Sequence, residues 1–278
     1  MRQLMLIALA GMLPAGSPAS AEQLNTPTTA AAVDPALATV LADPRRGGDR
    51  ARDAWRHPAE TLAFFQVKPG MTVVDYMPSG GWYTRILAPY VGASGRYIGV
   101  NPPAAQSMER LGGMAESFPA KASGWTGIPT ARILAANSDA LPVEWNGTVD
   151  RFLIFREMHN LKRWGIADQE LKRAHALLKP DGMLGIVQHR AKDGAPDAYV
   201  DGSKGYLKVA QVIAMAEAAG FELAGESAVN ANPKDSADWP QGVWTLPPNY
   251  ALKDVDRTKY EAVGESDRMT LLFRKKGS

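Results

Sequence analysis

The stretch Val73-Val74-Asp75-Tyr76-Met77-Pro78-Ser79-Gly80-Gly81-Trp82 constrains the fold more than any other. Its β-branched and aromatic residues make a short buried strand, a proline and small residues break it, and the next apolar period opens a helix. In an α/β sheet such a turn lies at the carboxyl end of a strand, where bare backbone N–H groups and a helix N-terminus face a ligand. A helix over Trp82–Tyr90, the turn Gly92-Ala93-Ser94-Gly95 and a strand over Arg96–Val100 then complete a βαβ unit of about thirty residues. A parallel sheet follows.

The same alternation continues along the chain. The pattern predicts helices over Ala51–Phe65, Gln106–Phe118, Ala167–Leu178 and Lys204–Ala219. It predicts strands over Arg132–Ala135, Val149–Phe155, Met183–Gln188, Phe221–Ser227 and Met269–Phe273. Between 228 and 267 Asn, Pro, Asp and Trp accumulate without period, so this segment reads as an insertion with no core pattern of its own. The expected architecture is therefore one Rossmann-like, doubly wound α/β domain over 51–278. Residues 22–50 read as a polar arm or linker with at most a short helix.

The first residues carry a separate message. Arg2, the apolar run Leu4–Leu13 and Ala19-Ser20-Ala21 form the three parts of a secretory signal peptide over 1–21. That run is too short for a membrane span, so a periplasmic or secreted protein cleaved near Ala21 is expected. With 31 basic and 29 acidic residues, the chain has no field suited to nucleic acid or an anionic membrane. It has no cysteine, which excludes disulfides, thiolate nucleophiles and Cys-ligated metals.

Several residues at the strand ends bear chemistry. Gly80 and Gly81 permit close approach of a ligand and Ser79 offers a hydroxyl; the bland alternative is a structural tight turn. Asp139 either accepts from a ligand amine or caps its own turn. His159 and His189 each follow a central strand, where an imidazole serves as a general base or as a satisfied structural group. Arg156 and Glu157 share that edge, to orient a polar substrate or to pair with each other. Tyr206, Trp239 and Trp244 either wall a pocket or form the insertion's private core. Glu265-Ser266-Asp267-Arg268 reads as a surface turn. No GxSxG, P-loop, HExxH or EF-hand motif is present, and no metal site is expected.

The order of elements, the Asp75–Gly81 turn and Asn137-Ser138-Asp139-Ala140 resemble the class I S-adenosylmethionine-dependent methyltransferases. Arg52-Asp53-Ala54-Trp55-Arg56-His57-Pro58, Gly80-Gly81-Trp82-Tyr83-Thr84, Asn230-Ala231-Asn232-Pro233-Lys234-Asp235, Gly242-Val243-Trp244-Thr245-Leu246-Pro247-Pro248 and Gly264-Glu265-Ser266-Asp267-Arg268-Met269 are similar, more narrowly, to a group of exported bacterial predicted methyltransferases. The resemblance implies a mostly parallel seven-stranded sheet with an antiparallel last strand. It implies S-adenosylmethionine as cofactor, held by Asp75, Ser79, Gly80 and Gly81, with Asn101 at the ribose and Asp139 at the adenine. The implied activity is methyl transfer to an unknown, small-molecule or other, acceptor, with His159 as base and Arg156 beside it. His189, Tyr206, Asn232, Asp235 and Trp244 would line the substrate pocket. The chain departs from the family at Met77 and Ser79, where glycine is usual, and at Asn101, where an acid is usual. Those departures keep open a non-catalytic ligand- or protein-binding role on the same fold.

Overall fold

The computed structural model describes residues 33–104 and 114–277. In chain order these form α1 (Pro35–Leu41), α2 (Asp53–Arg56), α3 (Pro58–Phe64), β1 (Thr72–Tyr76), α4 (Thr84–Val91), β2 (Arg96–Asn101), α5 (Met114–Thr126), β3 (Ile133–Asn137) and β4 (Val149–Phe155). Then come α6 (Met158–Arg163), α7 (Ala167–Leu177), β5 (Leu178–His189), α8 (Val209–Ala218), β6 (Phe221–Ser227), α9 (Arg257–Val263) and β7 (Arg268–Lys275). One seven-stranded sheet runs β3-β2-β1-β4-β5-β7-β6. β7 is antiparallel to both β5 and β6, and the neighbouring pairs from β3 to β5 are parallel. The expected doubly wound sheet with an antiparallel last strand is the observed one.

The sheet is covered on both faces, which is why its central strands read as unbroken apolar runs. Along β1, Val74 and Tyr76 pack on the face shared with α7, while Val73 packs on the face shared with α4. At β4, Leu153 and Ile154 point to opposite faces and are both inaccessible to water. Among the described residues no helix is long and apolar enough to cross a membrane. The signal segment and most of the helix expected from Gln106 lie outside the described residues.

Four departures from the sequence pattern have local causes. The single helix expected over Ala51–Phe65 breaks into α2 and α3 at His57, which is left-handed at φ 40°, because a residue before proline avoids the helical region. β5 starts at Leu178, not Met183: Val149 faces Leu178 and Arg151 faces Met183, so the predicted turn Lys179–Gly182 survives as a bulge inside the strand. The part of the arm from Val33 is folded: Arg46, 1 % exposed, donates to Asp53 from both Nη atoms and fixes the segment against the domain. The late insertion does possess a core, built with the preceding loop from Val200, Tyr206, Trp239, Leu246, Tyr260 and Val263.

Candidate functional site

The turn after β1 holds a conformation that its residues do not favour. Met77, Ser79 and Gly81 have φ of 53°, 49° and 76°, the left-handed region, which costs an L-residue about 1–2 kcal/mol. Backbone bonds impose it: Met77 N–H donates to Val100 O at 2.7 Å and Gly81 N–H to Pro78 O at 2.8 Å. Ser79 Oγ donates to Met77 O at 3.2 Å. Gly81 is obligatory for a second reason, since a Cβ there would lie 2.4 Å from the Trp125 ring. Gly80 is different, because a Cβ there would meet nothing within 4 Å among the described residues. Replacing Ser79 by glycine is expected to stabilise the protein by about 0.5–1 kcal/mol in a denaturant titration, as relief of the left-handed strain exceeds glycine's added unfolded-chain entropy. A loss of stability would show the Ser79 hydroxyl to be the stronger term.

A cavity of ≈ 280 Å³ opens over this turn. Its floor is Met77–Gly80 with Trp82 and Tyr83; Asp49, Arg52 and Arg56 form one wall, and Phe155, Arg156 and Glu157 at the end of β4 form another. Pro248 and Asn249 of the insertion also line it. Tyr83 and Phe155 stack with centroids 3.4 Å apart, and the Arg56 guanidinium lies 4.6 Å over the Trp82 ring. These planar groups fix the cavity wall by packing and cation–π attraction.

Charge on these walls is unevenly compensated. Glu265 accepts from Arg52 Nε at 2.6 Å, Arg268 Nη2 at 3.1 Å and Arg56 Nε at 3.2 Å. Burial by itself would raise its carboxyl, but Arg268, Arg56 and Arg52 together hold it down at about 2. Asp49 is matched with Arg85 at 2.5 Å. Arg156, left-handed at φ 65°, has its Nε buried with no hydrogen-bond partner among the described residues, as does Arg56 Nη1. Burial raises two carboxyls of the cavity lining to about 7: Asp75, which accepts from Tyr97 Oη at 2.8 Å, and Glu157, which accepts from Asn160 Nδ2 at 2.6 Å.

The residues singled out from sequence separate into two groups. Asp75, Ser79, Gly80 and Arg156 line the cavity, and Gly81 packs instead against Trp125. Asn101 is 1 % exposed at the end of β2, with Nδ2 unpartnered among the described residues. Asp139 is exposed and accepts from Ala104 N–H at 3.2 Å. The others lie away from the cavity lining. His159 is buried edge-on against Trp244, and loss of hydration lowers it to about 4. His189 meets Ser266 Oγ through Nδ1 at 2.5 Å, and burial pushes it well down. Neither ring is poised to gain and lose a proton near neutrality.

Asp235 is inaccessible and accepts from Tyr206 Oη, Trp239 Nε1 and two backbone N–H groups. Asn232 Nδ2 donates to Val263 O and Glu265 O. These are the ties of the insertion's core, and they hold its loop beside β7. Glu265–Arg268, expected at the surface, are all buried. Sequence reading missed Asp49, Arg52 and Arg56 as cavity walls and Glu265 as their anchor. The usable signal was two arginines four residues apart ahead of a helix and a distant Glu-Ser-Asp-Arg, none of which has an apolar period. Among the described residues, no group of three or more acidic or imidazole side chains is arranged to hold a metal ion.

No protein-family model matches this sequence, and no curated protein sequence does. Solved structures do. The chain is similar to a candidate sarcosine dimethylglycine methyltransferase from Galdieria sulphuraria, at 13 % identity over 85 % of this chain and 88 % of that one, with a TM-score of 0.51. The fold is that of the S-adenosylmethionine-dependent methyltransferases. A methyltransferase from Aquifex aeolicus is 20 % identical over 70 % of this chain and 93 % of its own, with a TM-score of 0.49. The same methyltransferase fold is shared with the [4+2]-cyclase SpnF, at 15 % identity over 87 % of this chain and 93 % of that one, with a TM-score of 0.55. At such identities the likeness concerns the fold, and the chemistry has to be argued from the site.

Proposed function

We propose that this chain transfers a methyl group from S-adenosylmethionine to an acceptor held in the cavity over the Met77–Gly81 turn. The observation that carries this reading is the turn itself, left-handed at Met77, Ser79 and Gly81 although two of the three are not glycine. Strain maintained at a cavity floor is the mark of a ligand-shaped loop rather than of local preference. The residues present fit the cofactor at a second point: Asn101 Nδ2 at the end of β2 is a buried donor without a partner among the described residues, suited to a ribose hydroxyl.

In this reading the backbone of the turn and Asn101 hold the cofactor, which supplies an electrophilic methyl group when bound. Catalysis then depends mainly on orientation. Glu157, whose carboxyl lies near 7 on the cavity wall, takes the proton of an acceptor hydroxyl or amine, a role for which burial has removed His159. Tyr83 and Phe155 exclude water from the wall they share. Export and removal of residues 1–21 belong to the same proposal.

Equilibrium titration of the purified chain with S-adenosylhomocysteine tests it. Saturable binding is expected, about tenfold or more weaker in Asn101→Ala, since a lost buried hydrogen bond costs about 1–3 kcal/mol. Absence of binding would end the reading. A ligand-binding role without transfer is favoured by one observation, the unpartnered Arg56 and Arg156 donors, which suit an anion better than a sulfonium. It would be identified by a co-purifying ligand unrelated to the cofactor.

A further inference from the structure

The positive charge on the cavity wall exceeds what its acidic partners balance. Arg52, Arg56 and Arg268 are all gathered on the single carboxylate of Glu265, and Arg156 makes no ion pair among the described residues. The remaining acids nearby do not restore the balance: Asp49 is committed to Arg85, and Asp75 and Glu157 are each raised to about 7. Two guanidinium nitrogens on residues that line the same cavity, Nη1 of Arg56 and Nε of Arg156, are desolvated and have no hydrogen-bond partner among the described residues. Leaving such donors unmatched is costly unless something occupies them. The planar fork of arginine matches the paired oxygens of a carboxylate or a phosphate.

We propose that the cavity over the Met77–Gly81 turn binds an oxyanion, carboxylate or phosphate, on Arg56 and Arg156, and that the methyl acceptor carries this group; the second half rests on the transferase reading above. S-adenosylmethionine has two cationic centres against one carboxylate, so on its own it adds to the positive charge of the wall. An acceptor bearing a negative charge balances both. Burial and then Arg156 push the Arg56 guanidinium down to about 8, so the wall carries a desolvated charge that an anion relieves.

Calorimetric titration of the full chain with acetate, malonate and inorganic phosphate, with and without saturating S-adenosylhomocysteine, tests the proposal. At least one anion is expected to bind saturably. Arg156→Gln weakens that binding about tenfold or more, the worth of a charge-assisted hydrogen bond. Arg156→Lys, which keeps the charge and loses the fork, falls between the two. Arg274→Gln, at an exposed pair with Glu222 on the far side of the sheet, leaves it unchanged. No saturable anion binding, or equal binding by Arg156→Gln, overturns the site. Displacement of the anion by S-adenosylhomocysteine overturns its assignment to the acceptor and gives the arginines to the cofactor's own carboxylate. Anion binding without any S-adenosylhomocysteine binding supports the oxyanion site and overturns the transferase reading.

Discussion

Replacing Glu265 by glutamine is expected to lower the stability of the protein by about 3–5 kcal/mol, the cost of removing one partner of a buried ion pair. The side chain is 7 % exposed and is the anchor for Arg52, Arg56 and Arg268, two of which are themselves almost fully buried. Glutamine keeps the volume and can accept one hydrogen bond, so what is lost is chiefly the charge. Three guanidinium groups then repel each other in a packed interior. The pH dependence provides a second signature. The folded carboxyl lies at about 2 against an ordinary 4.5, so its contribution is complete above 4.5 and declines as the pH falls toward 2. Denaturant unfolding of the wild type should therefore lose part of its margin over the glutamine variant across that acid window. A difference under about 1 kcal/mol at neutral pH, the scale of an exposed pair, would show that the network is not what holds this wall.

Replacing Glu157 by glutamine is expected to lower methyl transfer by about 10²–10⁴-fold, the usual contribution of a positioned base, with S-adenosylhomocysteine affinity preserved. The rate in the wild type should rise with pH through about 7, because burial raises the carboxyl to that value and only the ionised form accepts a proton. Burial brings Asp75 to the same range, and its charge adds to the rise at Glu157. The observed titration therefore belongs to the pair. Initial rates with methyl-labelled donor and a small-molecule extract as acceptor source give the profile. Infrared titration of the carboxyl band, compared between wild type and Glu157→Gln, gives the proton count without turnover. A glutamine variant with unchanged rate would remove Glu157 from the chemistry.

The sheet was legible because its strands are buried on both faces and are therefore apolar without interruption, as in Val149–Phe155, whose bounds coincide with β4. The first turn was legible for the same reason, standing between such a strand and a helical period. The walls of the cavity were not. Arg52 and Glu265 are 213 residues apart, and a salt bridge leaves no period in either segment. His159 and His189 have the expected positions at strand ends, but the sequence does not record how deeply the insertion buries them. Asp235 and Asn232 belong to conspicuous motifs, and the structure uses them to tie loops together. Polar residues in a dense motif can serve architecture as readily as a ligand, and only burial and partners distinguish the two.

The position of β7 between β5 and β6 has a consequence for how the molecule acquires its site. Arg268 is the first residue of that strand, and Glu265 lies just ahead of it, so the anchor of the arginine wall arrives with an element that is synthesised late and inserted between two earlier strands. Its partners Arg52 and Arg56 precede β1. Contacts of such long sequence separation carry the greatest loop-closure entropy and form slowly. The β1–α4 turn can assemble from local contacts, but the charged wall waits for both ends of the domain. Ligand affinity in this protein is thus a late reporter of folding: a chain with an intact first βαβ unit and an undocked β7 has the floor of the cavity but lacks the Glu265 anchor of Arg52 and Arg56.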